Sequence, residues 1–131
     1  MATKDQSQKT LTPAQRRERN REEVTRLILD AAREVMREDG VGALNLNEVA
    51  RRVNMKTPSL YEYFPGKMAV YDALYLKGVQ LYRESIEKIA ANKELAFWDR
   101  LEAAITNHMN FAYENPDLFH LVFERPVPQF T

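Results

Sequence analysis

The chain has 131 residues, 44% of them hydrophobic and 29% charged, with a formal net charge of zero and no cysteine. That composition predicts a soluble globular protein: one compact domain, or one small domain plus part of another. It excludes a disulfide framework and a thiolate metal site, and with no long apolar run it excludes a membrane-spanning helix and a secretory signal, so a cytoplasmic protein is expected.

The zero net charge conceals an asymmetry. Residues 1–67 carry 13 Lys+Arg against 10 Asp+Glu, whereas residues 68–131 carry 6 against 9. A net +3 followed by −3 implies that the first half meets an anionic partner. The densest basic stretch is Arg16, Arg17, Arg19 and Arg21, interleaved with Glu18, Glu22 and Glu23. Residues 1–20 have little to bury and read as a flexible basic arm, and Arg17 within it and Arg21 just beyond it are candidate DNA contacts.

From Val24 the pattern changes. Val24, Leu27, Ile28, Ala31, Ala32, Val35 and Met36 recur at helical spacing, opposite a polar side with Arg26, Asp30, Arg33 and Arg37. Gly40 is the expected stop. Asn45, with Glu48 three positions on, resembles a capping box and predicts a second helix over about Leu46–Val53. Asn54 suits a tight turn, and Thr57-Pro58 reads as a cap followed by proline at the first position of a third helix, Thr57–Phe64. Two short helices joined by such a turn are a helix-turn-helix.

On that third helix Leu60 and Phe64 share one face, which requires burial, and the other side carries Pro58, Ser59 and Glu62 flanked by Tyr61 and Tyr63. The Thr57 and Ser59 hydroxyls are suited to base edges, and the tyrosine hydroxyls and the Lys67 ammonium to phosphates. Glu62 is acidic on the same side, where it could accept from cytosine N4. Beyond Pro65-Gly66 a long helix is expected from Lys67 to about Asn92, locally weakened by Gly78. A fifth follows over about Ala96–Glu114. Asn115-Pro116 ends it and caps a short helix through Phe123, and the two prolines of the tail cannot continue a helix.

The stretch "ILDAAREVMREDGVGALNLNEVARRVNMKTPSLYEYFPGKMAVYDALY" resembles the DNA-binding domain of TetR-family transcriptional regulators, and "ENPDLFHLVFERPVPQF" resembles the regulatory region of the subgroup with a Trp-His-Gly type C-terminal domain. The resemblance implies an all-α protein. A three-helix, homeodomain-like helix-turn-helix domain over residues 21–67 precedes a partial helical ligand-binding and dimerisation domain over 68–131. It implies that Thr57, Pro58 and Ser59 meet base edges, that Tyr61, Tyr63 and Lys67 grip the backbone, and that Asn47 faces DNA. Lys56 stands where the family often has serine, and Asn54 where it often has glycine. Family members usually continue further, so the chain reads as truncated, with a homodimer expected of the full-length protein.

The function expected from these residues is a ligand-responsive regulator, a repressor, that binds double-stranded operator DNA and a small apolar effector, with no cofactor and no metal. Trp98, Ile105, His108, Met109, Phe119 and His120 are the candidate effector-binding residues, together with Phe97, Phe111 and Tyr113, although helical spacing of apolar residues is explained equally by core packing. An enzyme is disfavoured. There is no phosphate-binding glycine loop, nucleophile elbow or HExxH helix, and His108 and His120 match no metal-ligand spacing. A membrane-surface role lacks an apolar face on the arm. The alternative is a helical protein-interaction or small-molecule-binding module without DNA binding.

Overall fold

The computed structural model describes residues 10–124. Residues 1–9 of the expected arm and the proline tail from residue 125 lie outside them. All regular structure among the described residues is helical.

Helix α1 (Pro13–Asp39) opens on a reciprocal cap: Thr12 Oγ1 accepts from the Gln15 N–H at 3.1 Å, and Gln15 Oε1 accepts from the Thr12 N–H at 2.8 Å. With Pro13 at the first helical position, this cap starts the helix well before the apolar repeat begins at Val24. The flexible arm expected through residue 20 is thereby corrected, because residues 13–20 are helical although they bury nothing. Further along, Ile28, Ala31, Ala32, Val35 and Met36 form the buried face. Gly40 ends the helix at φ +98° and ψ 157°, a conformation essentially confined to glycine, and its N–H donates to the Met36 carbonyl at 2.9 Å.

A 3-10 turn (Val41–Ala43) leads to α2 (Leu46–Arg52). Asn45 Oδ1 caps it by accepting from the N–H groups of Asn47 and Glu48 at 2.9 and 3.3 Å. The expected return bond of a capping box is replaced, because the Glu48 carboxylate turns to Arg51 and Arg52. Asn54 takes φ +58°, the left-handed turn expected of it, and the chain enters α3 (Thr57–Tyr61). Thr57 is not the cap. Lys56 holds that place without a side-chain bond, and Thr57 and Pro58 are the first two helical residues. The helix also stops earlier than Phe64, since the N–H groups of Tyr63 and Phe64 both donate to the Leu60 carbonyl, at 2.9 and 3.0 Å, and roll the chain into a tight turn.

Helices α4 (Lys67–Ala90) and α5 (Phe97–Glu114) pack against each other, followed by α6 (Pro116–Phe119) and one π-helical turn (His120–Glu124) in place of a helix continuing to Phe123. Asn115 does not cap α6 with its side chain as expected; its Oδ1 accepts from Arg33 at 3.0 Å. Gly78 sits where α4 meets the last segment so closely that a Cβ would lie 2.8 Å from Val122 Cγ2 and 3.4 Å from Leu118 Cβ.

The core is one contiguous cluster. Leu60, Phe64, Val49 and Ala50 of the helix-turn-helix share it with Val70, Tyr71 and Leu74 of α4 and with Phe111, Leu118 and Leu121 further on. Residue 67 therefore divides residues that pack together. Tyr71 fixes the junction by donating its hydroxyl to the Val41 carbonyl at 2.6 Å.

Candidate nucleic-acid interface

Burial sorts the third helix as its spacing demands. Leu60 and Phe64 are buried, Pro58, Ser59, Tyr61 and Glu62 are exposed, and Thr57 and Tyr63 are half-buried. Small polar side chains at the start of α3 thus face outward from a helix whose position is set by its two apolar anchors. Asn47, Lys56 and Lys67 are also exposed.

Two contacts tie this surface to its neighbours. Thr57 Oγ1 donates to Asn47 Oδ1 at 3.0 Å, joining the first turns of α2 and α3 and leaving the Asn47 amide donors directed away from that bond. Arg21 reaches from α1 to the other end of α3, where Nη2 donates to the Glu62 carbonyl at 3.2 Å and the guanidinium lies 4.7 Å from the centre of the Tyr63 ring. Spacing did not foretell that Arg21 orients Tyr63. Arg17 is one helical turn before Arg21, and both are exposed. On the far side, Lys67 Nζ lies 5.9 Å from the Tyr71 ring centre.

The second-half candidates separate into two groups, with His120 apart from both. Trp98, Ile105 and Met109 are exposed, Trp98 at 74%, and lie along α5 with the exposed Phe97, Leu101 and Tyr113. His108 and Phe119 instead join Tyr82 and Phe123 in an aromatic cluster, with Phe111 against Tyr82 and ring centres 4.9–5.6 Å apart. His108 Nδ1 and the Tyr82 hydroxyl share a hydrogen bond of 3.0 Å. His120 lies apart from that bond, paired with Glu124. Among the described residues no group of His, Cys, Asp or Glu is arranged to hold a metal, and no helix is long and apolar enough to cross a membrane.

One arrangement escaped the sequence altogether. Asp117 has a fully buried side chain held by Arg33 and Arg37 of α1, and Arg37 Nη2 also donates to the Glu114 carbonyl at 2.6 Å. Burial by itself would raise the Asp117 pKa, but hydrogen bonds and charge from Arg33 and then Arg37 outweigh it and hold the carboxyl below its ordinary value. Both arginines read as members of a solvated helix face. The available hint was their spacing of four, which puts two guanidinium groups on one stripe.

The fold is thus an all-α helix-turn-helix domain with an outward-facing third helix, continued by further helices that share its core. Residues 28–74 match the family described as bacterial regulatory proteins, tetR family. The chain is similar to the uncharacterized HTH-type transcriptional regulator YobS of Bacillus subtilis (strain 168), 27% identical over 95 residues that make up 72% of this chain and 48% of the relative. It is likewise similar to the HTH-type transcriptional activator FasR of Mycolicibacterium smegmatis (strain ATCC 700084 / mc(2)155), 28% identical over 101 residues, 74% of this chain and 44% of the relative. The crystal structure of the protein SCO4313 superposes with a TM-score of 0.73 at 30% identity, covering 87% of this chain and 54% of that one. The chain spans about half the length of the relatives it matches.

Proposed function

We propose that the protein is a cytoplasmic, ligand-responsive transcriptional repressor that binds operator DNA with α3 in the major groove. Thr57, Pro58 and Ser59 meet base edges; Tyr61, Tyr63, Lys56 and Lys67 grip the sugar-phosphate backbone, and Asn47 joins them from α2. Arg17 and Arg21 add phosphate contacts from the basic segment. The observation that carries this reading is the exposure of Ser59 and Tyr61 beside the buried Leu60 and Phe64, which offers small polar groups to a groove from a rigidly seated helix. The positive first half supplies the complementary charge.

Residues 21–67 act as the reading unit and residues 68–131 as part of the regulatory unit. One helix-turn-helix reads a half-site, so a homodimer with units about 34–36 Å apart reads a palindrome. An effector held in the second half changes that spacing through α4, provided it binds the two states with different affinity.

Selection of binding sites from random duplexes, followed by fluorescence anisotropy against the selected duplex with heparin as competitor, tests the reading. Saturable binding that weakens with salt by about −0.9 log units per log unit of salt for each neutralised phosphate is expected. Failure of every duplex to compete with heparin sinks it. The exposed apolar row on α5 favours a second reading, a helical protein-interaction module, which predicts partner binding undiminished by the Ser59→Ala and Lys67→Ala substitutions.

A further inference from the structure

The buried stripe of α1 continues past the point where packing ends, and changes character there. Arg17, Arg21, Val24 and Ile28 follow one another at spacings of four, three and four, so they lie on one stripe of the helix. Ile28 is buried in the core and Val24 packs against it, whereas residues 12–23 are all exposed. The face that seats α1 on the domain thus turns basic where no more protein covers it. Arg16 stands beside Arg17 at the edge of this stripe, and Arg19, two positions from both Arg17 and Arg21, falls on the opposite side. Glu23 is engaged by Arg26, and Arg16 and Arg17 have no ion pair among the described residues.

The Thr12–Gln15 cap and Pro13 hold these first turns as helix, and Arg21 ties them to the end of α3 through the Glu62 carbonyl and the Tyr63 ring. At about 1.5 Å per residue, Arg17 stands about 6 Å beyond Arg21 along the axis and Arg16 about 7.5 Å. Each strand of a duplex carries a phosphate about every 3.4 Å of its axis, so that distance spans about two phosphates.

We propose that this basic stripe is a helical rail that follows the phosphate backbone outside the half-site read by α3, adding sequence-independent contacts to the flanking duplex through Arg17 and Arg16. The proposal rests on the reading of α3 as the groove-bound helix, and extends the footprint beyond it. Continuity selects duplex DNA over another polyanion, because Arg21 belongs at once to the stripe and to the end of α3. Arginines already placed by a helix lose less freedom on contact than the same charges on a loose arm.

Two duplexes carrying the selected site test the rail, one ending at the site and the other extended at each end by about ten base pairs, one helical turn, of arbitrary sequence. Fluorescence anisotropy over a salt series is expected to show the extended duplex bound about three- to tenfold more tightly at low salt, with a salt slope steeper by about one to two. Arg16→Gln and Arg17→Gln each reduce the slope on the extended duplex, by up to about one, while Arg19→Gln leaves it unchanged. Asn20→Pro keeps every charge but breaks the helix between Arg16 and Arg21. It is expected to abolish the advantage of the extended duplex and to leave affinity for the short one, since proline suits the first position of a helix that then begins there. Circular dichroism should show helix lost only from the first turns, which bury nothing.

Equal affinity and slope on the two duplexes remove the rail and keep the reading of α3. An advantage that survives Asn20→Pro, or a loss from Arg19→Gln as large as from Arg17→Gln, likewise overturns the rail. Heparin affinity that falls with Arg17→Gln while the two duplexes stay equal assigns the stripe to another polyanion and overturns it too. Failure of both duplexes to bind ends the reading of α3 and the rail with it.

Discussion

Arg33 on α1 and Asp117 on α6, 84 positions apart, meet as a fork: Nε donates to one carboxylate oxygen at 2.7 Å and Nη2 to the other at 3.2 Å. The side chain of Asp117 is fully buried and that of Arg33 17% exposed, whereas Arg37, the second partner, is 44% exposed. Removing one member of a buried pair strands the other charge, so Asp117→Ala is expected to destabilise the fold by about 3–5 kcal/mol. Arg37→Ala should cost about 1 kcal/mol or less, because water screens its share. Urea denaturation measures both, and equal losses would contradict the ranking.

Acid should weaken the same clamp. The folded-state pKa of Asp117 is depressed, so the folded protein holds that proton less tightly than the unfolded chain, whose aspartate titrates near about 3.9. Its stabilising contribution is full above that value and is lost as pH falls through the lower folded-state value. The stability difference between the unaltered chain and Asp117→Asn is expected to be constant near neutrality and to shrink below about pH 4. A difference independent of pH down to the acid transition would show that the carboxylate charge is not what holds the segment.

Gly78 faces the opposite demand. Alanine there would gain about 1 kcal/mol of helix propensity, yet overpacking against Val122 costs about 1–3 kcal/mol. Gly78→Ala is expected to destabilise, and combining it with Val122→Ala should recover part of the loss, giving a non-additive double-mutant cycle. Strict additivity would mean that α4 and the final turn do not touch as closely as the 2.8 Å approach requires.

On the reading surface, Ser59→Ala should lose about 1–3 kcal/mol at particular base pairs, whereas Lys67→Ala should weaken all duplexes alike and reduce the salt slope by about one. Indistinguishable sequence profiles for the two variants would refute that division of labour.

Glu62→Gln is expected to reorder preference at one position occupied by cytosine; an unchanged ranking of operator variants would dismiss a role for the carboxylate.

Arg21 separates charge from positioning. Arg21→Lys keeps the charge but loses the planar stacking over Tyr63 and the directed bond to the Glu62 carbonyl. Duplex affinity should therefore fall for Arg21→Lys nearly as far as for Arg21→Ala, with the salt slope retained only in the lysine variant. Full activity of the lysine variant would reduce Arg21 to a point charge.

Local chemistry wrote much of this protein into its sequence. The spacing of Ile28, Ala31, Ala32, Val35 and Met36 fixes the buried stripe of α1, Gly40 and Asn54 supply the two positive-φ stops, and Leu60 with Phe64 dictates which side of α3 faces out. Each depends on residues within one or two helical turns, so a linear reading reaches it. The start of α1 was legible too, in Thr12, Pro13 and Gln15, but it stands on a cap rather than on an apolar repeat, and periodicity alone passes over it. Tertiary structure decided the rest. Nothing in the chain order brings Asp117 to Arg33 and Arg37, Arg21 to Tyr63, or Val122 to Gly78, because partners 42 to 84 positions apart meet only when the helices have chosen their packing. A charged side chain looks the same in sequence whether water or a buried counter-charge solvates it, and that choice belongs to the fold.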